Sequence, residues 1–169
     1  ANTAIFSVVN AVLLRPPFAD PHRVVALREM PPSRSEPMFA SARRYDEWRR
    51  QAGSFQSLAA LIRVTYTLTG DATPIRPRAA RITANALETL RVRPLLGRPL
   101  EPGDELPGAD PVVVLTHETW LGRFGGDSTI VGRQVRLDNR AVTVVGVLEP
   151  APFYPARVEA LLNMVNSEH

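Results

Sequence analysis

The chain has 169 residues and a mass of 18.6 kDa, enough for one medium domain or two small lobes with a real core. Hydrophobic residues at 44% and charged residues at 22% exclude a chain disordered throughout, and 10 Gly and 16 Pro without a period exclude a collagen-like fibre. The formal charge is +3, and 0 Cys leaves no disulfide framework, thiolate metal cage or cysteine nucleophile.

All 20 basic residues are Arg. Guanidinium does not titrate below about pH 12, so the pI of 10.1 overstates how basic the surface is. Genome composition explains an all-Arg chain better than a nucleic-acid footprint does.

Between residues 4 and 14 only Ser7 and Asn10 are polar, and no charge precedes Arg15. Eleven helical residues reach about 16 Å, against roughly 30 Å of hydrocarbon, so this segment alone does not span a membrane. Three readings stand: an amphipathic core helix with Ile5, Val8, Val9 and Val12 on one face, a signal-peptide apolar region, or the outer end of a transmembrane helix. Spacing alone ranks the core helix first. Arg15-Pro16-Pro17 stops it.

Residues 24–27 form a short β-type run, and residues 30–37 a proline-rich loop. Ser41 is placed to cap a helix in which Tyr45, Trp48, Ala52 and Phe55 face a core. Arg43, Arg44, Asp46, Glu47, Arg49 and Arg50 cover its other side. Strands are predicted over 58–69 and 75–83, joined through the Gly70-Asp71 turn. Asn85 with Glu88 three residues on marks a helix start, and Pro94 and Gly97 close that unit.

Residues 101–111 read as a solvated loop. A buried strand over 112–115 runs at Thr116 into a helix carrying Trp120 and Phe124 that stops at Gly125-Gly126. Residues 133–138 and 141–148 make a β-hairpin whose Asp138-Asn139-Arg140 turn uses Asn where a positive φ is needed. Finally, Val158, Leu161, Leu162 and Val165 form a helical stripe over 156–165. The class is α+β with mixed strand pairing.

The pattern carries no evident active site. His117-Glu118 opens like a zinc-protease helix, but Leu121 stands where the second His is needed. Glu101, Asp104, Glu105 and Asp110 lack the alternating spacing of a calcium loop. There is no phosphate-binding glycine loop, no lysine and no nucleophile elbow. Arg43-Arg44 and Arg49-Arg50 offer phosphate contacts, yet Asp46 and Glu47 lie within pairing reach on the same helix. No catalytic, cofactor-binding or metal residues are assigned.

The residues themselves carry a resemblance. Asn2 to Pro16 resembles the end of the first transmembrane helix of bacterial ABC transporter permeases with a MacB-like periplasmic core domain, in the FtsX-like superfamily. The likeness continues in order through Asp20-Pro21-His22-Arg23, Tyr45-Asp46-Glu47-Trp48-Arg49, Ala84-Asn85 and Arg93-Pro94-Leu95-Leu96-Gly97-Arg98. Its most specific stretch is Val112-Val113-Val114-Leu115-Thr116 with Trp120, Arg123-Phe124-Gly125-Gly126-Asp127 and Ile130-Val131-Gly132. Val144-Val145-Gly146-Val147 with Pro150 closes it, in the manner of the internally duplicated orphan permeases. Where the family commonly has Asn-Gly in the hairpin turn, this chain has Asp138-Asn139.

The resemblance implies a non-catalytic extracytoplasmic domain that passes ATP-driven helix motion to the periplasmic side, for export or extraction of a substrate. It implies residues 1–15 as the end of a first transmembrane helix and 16–155 as the periplasmic core domain; the likeness fades after Tyr154-Pro155, and 156–169 are read as a helical tail from their spacing alone. It also implies a porter-like α/β lobe from 18–57 and 110–153, and a more β-rich inserted lobe from 58–109. The implied partners are a cytoplasmic ABC ATPase subunit that hydrolyses the ATP, and a second permease copy or a periplasmic adaptor. The location is the bacterial inner membrane, with no cofactor. A basic nucleic-acid-binding domain is the alternative, and a hydrolase using His117 ranks last.

Overall fold

The computed structural model describes residues 23–29, 36, 40–51, 53–69, 78–150 and 158–165. The expected helix over 4–14, the Gly70-Asp71 turn and most of the 30–37 loop lie outside them. Strand β1 is Leu61–Thr65, β2 Leu68–Thr69, β3 Arg78–Ile82, β4 Pro94–Gly97, β5 Val112–Leu115, β6 Gln134–Leu137, β7 Arg140–Leu148 and β8 Ala160–Asn163. Helices α1 (Ala42–Gln51), α2 (Ala86–Thr89) and α3 (His117–Phe124) join two short 3-10 turns, Pro102–Glu105 and Ser128–Ile130.

All eight strands share one mixed sheet in the order β1-β3-β8-β5-β7-β6-β2, with β4 added along β7. The pairs β3–β8 and β5–β7 are parallel and the others antiparallel. The first and last strands of that path, β1 and β2, are separated in the chain only by Tyr66 and Thr67. Three peptide steps span at most about 11 Å, so the sheet curls until its two ends nearly meet. The interior of the curl collects Val64, Ala79, Val113, Val135, Leu137, Val144 and Leu162, with Trp120 and Phe124 of α3 packed against them. The opposite face buries Ala80, Ile82, Val114, Leu148 and Leu161 beneath Leu87 of α2 and Leu100.

Several elements match the sequence reading. Thr116 caps α3 by accepting the Thr119 N–H, and Gly125 ends it with φ 61. Asp138 and Asn139 take φ 48 and 65, the two left-handed positions that a type I′ hairpin turn demands. The α+β class holds, with a mixed sheet.

Others need correction. The helix expected over 156–165 is replaced, where described, by β8, a central strand buried at all four positions. The apolar pair Leu161 and Leu162 fits either period, and burial on both faces settled it: Leu161 lies in one core and Leu162 in the other. The single strand over 58–69 is interrupted at Tyr66-Thr67, where one half pairs with β3 and the other with β6. Pro94–Gly97, read as closing a helical unit, is itself a strand. Residues 24–27 form no strand, and Val25 is exposed.

The apolar side of α1 belongs to neither of the two cores formed by the described residues, and Ala52 lies outside the described residues. Trp48 is half-buried and Phe55 is 40% exposed, while Tyr45 holds the helix by donating its hydroxyl to the Leu58 carbonyl at 3.1 Å. Asn85 does not cap α2. Its amide instead donates to the Ser57 hydroxyl and the Leu58 carbonyl, at 3.2 and 3.0 Å. Residues 58–109 and 110–153 both supply strands to this one sheet, so it runs across the boundary expected between two lobes.

Candidate functional site

Polar side chains concentrate where the loop between β4 and β5 crosses the end of the sheet. Asn163, the last residue of β8, is buried there. Its Oδ1 accepts from the Val112 N–H at 3.1 Å, and its Nδ2 donates to the carbonyls of Asp104 and Asp110 at 2.8 and 3.2 Å. Both donor hydrogens and one acceptor site of a single amide are thereby used.

Asp104 folds back in the same loop. Its carboxylate accepts two bonds from the Arg98 guanidinium, at 2.7 and 3.0 Å, and one from the Glu101 N–H at 2.8 Å. The Arg98 hydrogen bonds hold the Asp104 carboxyl below the usual carboxylate range, outweighing its partial desolvation, and the Glu101 N–H adds to the effect. In return, Asp104 raises the Arg98 pKa. The neighbouring Glu105 carboxylate accepts from the Ala84 N–H at the start of α2. The loop is therefore tied to β4, β8 and the β3–α2 junction at once.

A second polar cluster follows α3. Asp127 accepts from the Thr129 hydroxyl at 2.7 Å, the Thr129 N–H at 2.9 Å and Arg133 at 3.2 Å. Those bonds, led by the Thr129 hydroxyl, lower its pKa. The Asp127 carbonyl takes the Trp120 Nε1–H at 2.9 Å, which fixes the indole against the core.

The residues weighed as chemistry serve structure. His117 sits in the first turn of α3 with its ring edge-on to Trp120, centroids 5.6 Å apart, and Leu121 is exposed on the same helix. Of the four acids read as a solvated loop, Glu101 and Asp110 are exposed. Asp104 and Glu105 instead turn inward, because each finds N–H or guanidinium donors that replace its water. Among the described residues, no group of three or more His, Asp or Glu side chains is arranged to hold a metal. On α1, Arg43 pairs with Glu47 at 3.3 Å, and Arg44 pairs with Glu47 and Glu29 at 3.0 and 3.2 Å. Two cations of the proposed phosphate face are thus already partnered. Asn163 escaped the sequence reading altogether. An asparagine ending a run of three apolar residues carries no periodic signal, and its three partners lie more than 50 residues away.

The profile of the MacB-like periplasmic core domain matches residues 1–162. The chain belongs to that family. The sheet described above also resembles those of two solved domains. One is the extracellular domain of the noncanonic ABC-type transporter YknZ from Gram-positive bacteria, at TM-score 0.57 and 16% identity over 69% of this chain. The other is the periplasmic region of MacB from Actinobacillus actinomycetemcomitans, at TM-score 0.51 and 16% identity over 68% of this chain. The chain spans 59% and 60% of those two domains. No curated protein matches it.

A MacB-like periplasmic core domain is the extracytoplasmic part of an ABC transporter permease, not a catalytic module. The comparisons lend no support to the nucleic-acid reading. Among the described residues, no helix is long and apolar enough to cross a membrane.

Proposed function

We propose that this domain relays motion of a permease's transmembrane helices to the outer side of the bacterial inner membrane, where the motion drives export or extraction of a substrate. In this reading a separate cytoplasmic ATPase subunit hydrolyses ATP, and a second permease copy or a periplasmic adaptor receives the movement. Residues 1–15 are the outer end of the first transmembrane helix and the folded body follows them.

The observation that carries the reading is the family match across residues 1–162. It is supported by a body in which the eight described strands share one sheet and the loop between β4 and β5 is tied down at three places. A relay must move as a unit, and close-packed interiors transmit displacement with little compression.

Location is the cheapest test. The 169 residues contain no cysteine, so Pro107→Cys, at an exposed turn, introduces a single thiol in this part of the permease. A membrane-impermeant maleimide added to intact cells should label it. Labelling that appears only after the inner membrane is broken refutes the assignment.

A further inference from the structure

The geometry points to β8 as the mechanical anchor of the domain, with Asn163 as the positioning residue that staples the chain where it leaves the sheet. This rests on the relay reading above and names where a relayed pull is taken up.

Strand β8 is held along both edges, by β3 and by β5, with no register shift on either side. Ala160 to Asn163 pair in parallel with Ala79 to Ile82 on one side, and Ala160 to Leu162 pair antiparallel with Leu115 to Val113 on the other. The pairing extends past both ends. Glu159 N–H donates to the Arg78 carbonyl at 2.7 Å, the Glu159 carbonyl accepts from Thr116 N–H at 3.2 Å, and Met164 N–H donates to the Ile82 carbonyl at 3.2 Å. All four β8 side chains are buried, so water does not compete for these bonds.

Direction of loading then decides resistance. A pull on residue 165 against α3, which follows β5 at the far end of the sheet, slides β8 along both neighbours and strains all these bonds together. A pull on residue 165 against residue 110 acts at one end of β5 and β8 and opens the pair rung by rung. The first rung on that route is the Asn163 amide, which bridges β8 to Val112 and Asp110 and to Asp104 besides. Asn163 therefore guards against peeling at the point where the chain turns away. The edge strand β1 has no such arrangement: among the described strands it pairs with β3 alone.

The test is optical-tweezer unfolding of the 169-residue chain with handles on introduced cysteine pairs. Glu118→Cys with Val165→Cys loads β8 in shear, and Asp110→Cys with Val165→Cys peels it. Wild-type sequence should unfold at clearly higher force in the shear geometry. Asn163→Ala should speed unfolding by about tenfold in the peel geometry, the rate equivalent of one buried hydrogen bond group lost, and by less than about threefold in shear. Asn163→Asp keeps the acceptor for Val112 but sets a buried carboxylate oxygen against the Asp104 and Asp110 carbonyls, and should speed peeling at least as much as Asn163→Ala.

Equal forces in the two geometries overturn the proposal, and this comparison needs no Asn163 variant to fold. Equal acceleration of both geometries by Asn163→Asp also overturns it, because that is what a merely structural asparagine does. Neither result depends on membrane location, so failure here is separable from failure of the thiol labelling.

Discussion

Leu161→Ala tests the placement of β8 most directly. Leu161 has 0% exposure and lies opposite Ala80 of β3 and Val114 of β5, in the core face beneath α2. Truncation removes three buried carbons, the Cγ methine and both Cδ methyls, and leaves a cavity that a strand clamped on both edges does not close by shifting. Leucine-to-alanine changes in such sites cost about 3–4 kcal/mol. Against a total stability of roughly 5–15 kcal/mol, that is a large fraction. For a domain of this size it corresponds to a fall in Tm of about 10 °C. Urea unfolding followed by tryptophan fluorescence should show a lower midpoint with an unchanged slope, since Trp120 is packed in the other core. Leu106→Ala, at a side chain 60% exposed, should move the midpoint by less than about 0.5 kcal/mol. If Leu161→Ala costs no more than Leu106→Ala, β8 is not the centre of the sheet and the frayed helical tail returns.

Three further outcomes follow from other parts of the fold. Gly146→Ala should destabilise by about 2 kcal/mol or more in the same urea assay, because a Cβ there would run into the Arg98 carbonyl across the β4–β7 pairing, and backbone does not move aside cheaply. Asp104 has a pKa below its unfolded value, so its contribution is complete above about pH 4 and is lost as pH falls through the folded value. Asp104→Asn should therefore lower the urea midpoint at pH 7 and flatten its decline below pH 4; an unchanged acid slope counts against the Arg98–Asp104 pairing. Asn139→Val should cost roughly 1–2 kcal/mol because a β-branched residue resists φ 65, whereas Asn139→Gly should be neutral or stabilising in thermal melts.

Legibility followed the range of the determining interactions. The cap at Thr116, the glycine stop at Gly125 and the Asp138-Asn139 turn are set within a few residues, and all three were readable. Strand β8 was not, since a three-residue apolar stretch is compatible with either period until its neighbours are known. Those neighbours, β3 and β5, lie far up the chain. Trp48 and Phe55 misled in the opposite sense: helical spacing of aromatics indicates a buried side only when another element arrives to cover it. The acidic loop followed the same rule. Asp104 and Glu105 look solvated in sequence because Arg98 and the Ala84 N–H become available only once the sheet brings them together.

The interleaving of the sheet has a consequence for biogenesis. Strand β8 is the last of the described strands, yet it lies between β3 and β5. A polypeptide emerging N-terminus first lacks the middle of its sheet until residue 163 appears, and pairing across such sequence separations is slow. The sheet formed by residues 61–148 therefore stays open at its middle, and closes when residues 160–163 drop into the waiting gap.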